Sequence, residues 1–134
     1  MRRLPTLELE RLSHVLHEDP TLRLAIVFGS LGRGEAGFAS DVDVAVLDER
    51  PLGRERREDL IARLAEALGR PVDLIDLQRA GVVLLREVLQ GGRTLLCRDP
   101  AARQRLVVQM LTDTEDFLPL VERMWRERRE RWIG

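Results

Sequence analysis

Lysine, asparagine and tyrosine are absent from the 134 residues, and cysteine occurs once. A lone Cys97 excludes an internal disulfide and any cysteine-based zinc site. In Thr94-Leu95-Leu96-Cys97 it is expected as a small buried residue of a strand. Histidine occurs twice. His14 and His17 fall three apart on an expected helix, without the third or fourth partner a metal would want, so both read as surface residues. Aromatic side chains make up only 4%, which leaves the core to Leu, Val, Ile and Ala. No apolar run approaches a membrane span; Leu24–Phe28 and Val44–Leu47 have strand length. The opening Met-Arg-Arg passes into polar, acidic residues without the apolar centre of a signal peptide, and a cytoplasmic location is expected.

What remains is a well-mixed globular composition, 44% hydrophobic and 34% charged, of about one domain's length. The 22 basic residues are all Arg and face 23 acidic ones, for a net charge of −1. That balance gives no support to direct nucleic-acid binding through a broad basic surface. Arg126, Arg128, Arg129 and Arg131 cluster near the end, but Glu127 and Glu130 interleave with them, as on a solvated helix face.

Thr6 can cap a helix through about Glu18, with Leu9, Leu12, Val15 and Leu16 on one stripe, ended by Asp19-Pro20. Leu22–Phe28 reads as a strand broken by Gly29-Ser30. The stretch from Leu31 to Ala39 reads as a turn, and Asp41–Leu47 as a second strand. Helical spacing of Leu60, Ile61, Leu64, Ala65 and Leu68 predicts a helix over Arg54–Leu68, stopped by Gly69. A third strand at Pro71–Leu77, a short helix at Ala80–Gln90 and a fourth strand at Arg93–Cys97 follow. Beyond Asp99-Pro100 the chain reads as helix to near Trp132, with Pro119 breaking or kinking it. The fold class is α/β, a small mixed sheet flanked by helices. Residues 1–99 form its core, and 100–134 a C-terminal helical extension of the same domain.

The informative segment runs from Gly29-Ser30, across Arg33 and Gly34, to Ser40-Asp41-Val42-Asp43. Strand alternation puts Asp41 and Asp43 on one face, with Cα atoms about 7 Å apart, while Val42 and Val44 turn inward. Two carboxylates side by side repel each other unless a cation lies between them. Oxygen ligands without His or Cys favour magnesium or manganese over zinc. Gly29 lets the backbone approach a phosphate closely, and the Ser30 hydroxyl with the following N–H groups can donate to it. Arg33 is placed to neutralise phosphate or to pair with an acid. Asp-x-Asp alone is a weak signal. Gly-Ser, ten residues, then Asp-x-Asp between two strands is a strong one.

This combination resembles the nucleotidyltransferase superfamily that includes DNA polymerase beta, most closely its minimal-nucleotidyltransferase branch. Gly29, Ser30, Arg33, Gly34, Ser40, Asp41 and Asp43 fit that branch's motif without departure. The resemblance implies a polymerase-beta-like fold and a third acid on the next core strand. Asp73 in Val72-Asp73-Leu74 supplies it, with Asp76 as the alternative. The segment Arg86–Leu96 also resembles small family members. By the same resemblance, Asp41, Asp43 and Asp73 hold two Mg2+ ions and carry the catalysis. Gly29, Ser30, Arg33 and Ser40 serve the nucleotide, ATP.

Larger relatives carry an extra domain for the acceptor, whereas here the core occupies nearly the whole chain. Small members of this kind resemble antitoxins paired with a helical HEPN-domain ribonuclease toxin, which they silence by moving AMP from ATP to a toxin tyrosine. The resemblance therefore implies a HEPN toxin as partner, with Met110, Leu118, Met124 and Trp125 as candidates for either partner contact or core packing. Two other readings stay open. One is nucleotidyl transfer to a small molecule such as an aminoglycoside, in a homo-oligomer. The other is a non-catalytic nucleotide-binding or toxin-masking module.

Overall fold

The computed structural model describes residues 6–29, 41–112 and 126. The elements run α1 (Thr6–His17), β1 (Leu22–Phe28), β2 (Val42–Asp48), α2 (Arg54–Leu68), β3 (Val72–Asp76), α3 (Val82–Gly91), β4 (Arg93–Cys97) and α4 (Pro100–Thr112). The four strands form one sheet in the order β3-β2-β1-β4. β1 pairs antiparallel with β2 and with β4, while β2 and β3 are parallel, joined by α2 as the crossover. The sheet is mixed, as the sequence implies.

Both faces are covered because the central strands are apolar on both sides. β1 and β2 are buried at all but one position each, Arg23 and Asp43. On one face Val27, Val42, Val44, Val46 and Leu74 meet Leu9, Leu12 and Leu16 of α1 and Leu60 and Leu64 of α2. On the other, Leu24, Ile26, Phe28, Ala45 and Leu47 meet Leu85 and Val88 of α3 and Ala102 and Leu106 of α4. The apolar stripes legible in the sequence are the residues that pack here.

Helix ends follow local chemistry. Gly69 closes α2 in the left-handed region at φ 72°, its N–H bonded to the Ala65 carbonyl. Asp99 precedes Pro100, the first residue of α4, and its Oδ1 accepts the Ala102 N–H at 3.1 Å. That is an acidic cap ahead of a first-turn proline. Arg98 reaches back across the sheet end, donating to the backbone carbonyls of Leu22 at 3.0 Å and His17 at 2.7 Å, and also to that of Asp19. It thereby satisfies carbonyls that the end of α1 leaves open.

Cys97 departs from expectation: it is exposed. β4 is an edge strand in which Leu96 takes the buried place opposite Ala25, so alternation turns Cys97 outward. Met110 is buried on α4, with Ala102 and Leu106 on the same side. Leu118, Met124, Trp125 and Pro119 lie outside the described residues.

Gly92 joins α3 to β4 where there is no room for a side chain. A Cβ there would stand 2.4 Å from Ile26 Cγ2, 2.4 Å from the Val88 carbonyl oxygen and 3.2 Å from that of Val27. Two of these neighbours are backbone and cannot swing aside. Gly92→Ala is expected to cost about 1–3 kcal/mol through overpacking, lowering the midpoint of thermal or urea unfolding measured by circular dichroism.

Candidate active site

The acidic residues follow from the same two-residue period that builds the core. On β2, Leu47 and Ala45 face α3 and α4, and the row continues through Asp43 to Asp41, just ahead of the strand. On β3, Ile75 packs on that face and the row continues to Asp73. The parallel register sets Asp43 beside Asp73, and the antiparallel one sets Phe28 on its other side. Asp43 is half-buried; Asp41 and Asp73 are exposed. The structure therefore brings Asp41, Asp43 and Asp73 together at one end of the sheet, on one face.

Asp76, the alternative third acid, is committed elsewhere. It is buried, and its oxygens accept the Leu52 N–H at 2.9 Å and the Gln78 N–H at 3.0 Å, holding the loops that follow β2 and β3. With its lone pairs so used, it serves the fold rather than a cation.

Gly29 follows Phe28 directly and takes φ +70°, in the left-handed region. A Cβ at this position would lie 2.4 Å from Asp43 Oδ2. The carboxylate thus occupies the space that any other residue's side chain would need. Ser30, Arg33 and Ser40 lie outside the described residues. Gly29→Ala is expected to cost about 1–2 kcal/mol in backbone strain. The Asp43 carboxyl would have to rotate away, and a displacement of about 1 Å can cost on the order of 100-fold in rate. Activity should therefore fall further than stability, as measured by paired rate and melting experiments.

Burial pushes the Asp43 carboxyl above its ordinary value of 3.8, helped by the negative charges of Asp73, Asp41 and Glu87. Among the described residues no ion pair offsets these acids. Among the described residues no three His, Cys, Asp or Glu side chains form a ready-made metal cage. Magnesium does not require one, since it binds through one or two carboxylates, waters and substrate phosphates. An all-oxygen donor set with mutually repelling carboxylates fits that ion.

Glu87 is the residue that sequence reasoning missed. It sits between Leu85 and Val88, which anchor α3 beside Ile26, Phe28 and Ala45. The apolar stripe gives its phase on the helix, but nothing in the sequence gives the angle at which the helix crosses the sheet.

At the opposite end of the sheet lies a cavity of about 710 Å³ bordered by Asp19, Asp48, Arg50, Arg56 and Arg63. Asp41, Asp43 and Asp73 do not line it. Arg56 clasps Asp19 with two bonds of 2.6 and 2.8 Å and bonds Asp48 at 3.0 Å, and Arg63 adds a bond of 2.9 Å to Asp19. The charges there are matched, whereas Asp41, Asp43 and Asp73 have no ion pair among the described residues.

Residues 10–101 match the family described as polymerase beta, nucleotidyltransferase. The chain belongs to that nucleotidyltransferase family. Protein adenylyltransferase MntA of Shewanella oneidensis is 41% identical to it over 76 residues, 57% of this chain and 55% of that protein. The chain's match thus spans about half the length of this curated nucleotidyltransferase. A crystal structure of a toxin–antitoxin with AMP-PNP superimposes with a TM-score of 0.70 at 26% identity, covering 94% of this chain and 98% of that one. A tri-AMPylated Shewanella oneidensis HEPN toxin in complex with its MNT antitoxin gives 0.65 at 25% identity, over 96% and 98% of the two chains. The minimal-nucleotidyltransferase arrangement of mixed sheet and helices is therefore shared across nearly the whole chain. No described helix is long and apolar enough to cross a membrane.

Proposed function

We propose that this nucleotidyltransferase is a protein adenylyltransferase antitoxin, moving AMP from ATP to a tyrosine hydroxyl of a partner HEPN toxin and so silencing it. The observation that carries this reading is Asp43, seated against Gly29, in register with Asp73 and one alternation from Asp41. The likeness over nearly the full chain to toxin–antitoxin complexes, one with an ATP analogue and one with AMP-modified toxin, supports it. So does the sequence identity to a protein adenylyltransferase.

Asp41, Asp43 and Asp73 would hold two Mg2+ ions, which when bound supply the positive charge that the triphosphate and an ionising hydroxyl demand. Gly29 gives the triphosphate close access to backbone at the end of β1. Ser30, Arg33 and Ser40 are assigned to the nucleotide on their place in the motif. Asp73, exposed on the edge strand, accepts the proton of the incoming hydroxyl. The freed oxygen bonds to the α-phosphorus as the bond to the bridging oxygen of the β-phosphate breaks. Pyrophosphate leaves with that electron pair. Burial and its acidic neighbours hold Asp43 above its ordinary pKa, and a bound cation would favour its charged form. The need for ATP supports a cytoplasmic location.

The test is incubation with α-labelled ATP, Mg2+ and the product of the adjacent gene, expected to be a HEPN toxin. Label on a toxin tyrosine, together with loss of its ribonuclease activity, is the expected result. Silencing of the toxin without any label would sink adenylyl transfer in favour of simple masking.

A further inference from the structure

We infer that Phe28 is a positioning residue whose buried ring is the stop against which the Asp43 carboxylate rests; the inference rests on the metal-dependent transfer proposed above. Of the three acids at this end of the sheet, Asp41 and Asp73 are exposed and Asp43 alone is partly withheld from solvent. Its cross-strand partner on β1 is apolar. The antiparallel register sets Phe28 directly opposite Asp43, and the parallel register sets Asp73 on the other side. Directly opposed side chains have Cβ atoms about 4.5–5.5 Å apart, close enough for a ring to meet a carboxyl group. Phe28 is 5% exposed and belongs to the cluster of Ile26, Ala45, Leu85 and Val88, so the core holds its ring in place. The residue that follows supplies a second boundary. Asp43 Oδ2 stands 2.4 Å from where a Cβ on Gly29 would be. The carboxyl group is thus bracketed by the Phe28 side chain across the ladder and by bare backbone just beyond it.

Repulsion explains why such a bracket is needed. Asp73, in register on β3, pushes the Asp43 carboxylate across the sheet toward β1. What stands on the β1 side decides where the carboxylate stops. A ring packed among Leu85 and Val88 of α3 does not yield, because a close-packed core leaves no space to move into. Leucine in its place would leave a gap beside the carboxylate and free it to turn away from Gly29. Under the proposed function Gly29 opens the turn that receives the triphosphate. Phe28 then fixes the metal-binding and phosphate-binding sides of the site to each other, without touching either ligand.

The experiment compares wild type, Phe28→Leu and Leu47→Ala. Leu47 lies in the same buried cluster, on the strand that carries Asp43 but toward its far end, and so controls for lost packing. Below the melting point of each variant, one readout is affinity for Mn2+, an oxygen-ligated stand-in for Mg2+, with a non-hydrolysable ATP analogue present. Electron paramagnetic resonance of the free ion reports it. The other readout is transfer kinetics on the adjacent gene product. Phe28→Leu should bind Mn2+ about tenfold more weakly and lose about tenfold or more in kcat, with the acceptor KM within about twofold. Leu47→Ala should fall at least as far in melting temperature, yet keep Mn2+ affinity and kcat within about twofold. If Phe28→Leu melts below the assay temperature, Phe28→Met carries the same comparison, with a loss of about threefold. Unchanged Mn2+ affinity in the Phe28 variant overturns the inference. An equal loss in Leu47→Ala also overturns it, by assigning the effect to stability. Absence of label with wild type refutes the adenylyl-transfer reading, while the Mn2+ affinities still decide the role of Phe28.

Discussion

Asp43→Asn is expected to abolish adenylyl transfer while making the metal-free protein harder to unfold. The loss should reach about a thousandfold or more, because the substitution removes the charge around which cation and triphosphate assemble. The gain in stability comes from the same charge. In the folded chain Asp43 is half-buried and stands beside Asp73 and close to Asp41 and Glu87, so burial first and these charges second raise its pKa above the ordinary 3.8. A raised carboxyl pKa means that the folded state holds its proton more tightly than the unfolded one. Stability is therefore lost as pH rises from the unfolded value through the folded one, and the cost is complete only above the folded value. The neutral amide removes that cost, gaining about 0.5–1 kcal/mol on the scale of like-charged cross-strand pairs. Added Mg2+ and an ATP analogue should reverse the order, since ligand binding stabilises only the chain that binds. Thermal melts with and without ligand, beside transfer assays, test both halves. A variant less stable than wild type without metal would contradict the electrostatic account, whatever its activity.

Arg56→Met is expected to show the largest loss of stability of any single charge removal. Asp19 and Asp48 are only 4% and 7% exposed, and Arg56 bridges them while also donating to Thr21 at 2.7 Å. The substitution leaves Asp48 without its cation among the described residues and Asp19 with Arg63 alone, and breaking a buried pair costs about 3–5 kcal/mol. For a chain of this size that is a fall of about 10 °C or more in Tm. The pH dependence has the opposite sign from that of Asp43. The Arg56 guanidinium, with Arg63 and Thr21, holds the Asp19 carboxyl well below the usual carboxylate range. The stabilisation is complete above the unfolded value near 3.8 and is lost as pH falls below it. The gap between wild type and variant should therefore be full at neutral pH and narrow in acid. A gap independent of pH would point to lost packing by the Arg56 stem rather than to its charge.

Much of the fold is written in local pattern. The bounds of β1, α2 and β4 agree with the sequence to the residue, because Gly29, Gly69 and Gly92 punctuate them. The helix α3 starts at Val82 rather than Ala80, with Gly81 in extended backbone as its N-cap. Asp41 and Asp43 are legible as a pair because alternation is local. The resemblance names Asp73 with Asp76 as the alternative, but that the Leu52 and Gln78 N–H groups claim Asp76 is a tertiary fact that local pattern does not carry. Glu87 and the Asp19–Arg56–Asp48 clasp are likewise hidden. Their partners come from different elements, and only the way strands and helices assemble brings them together. Cys97 was misread for a related reason: which side of an edge strand is covered is a tertiary fact.

The two charge clusters sit at opposite ends of the same strand. From Asp43 to Asp48 is about 17 Å along β2, roughly two screening lengths at physiological salt. The Asp19, Asp48, Arg56 and Arg63 charges also offset one another, so the coupling between the clusters is weak. Side chains around the acidic end can therefore be exchanged while the Arg56 clasp goes on holding the far end closed. Under the proposed function, that separation would leave the end facing the acceptor free to diverge without weakening the sheet that carries it.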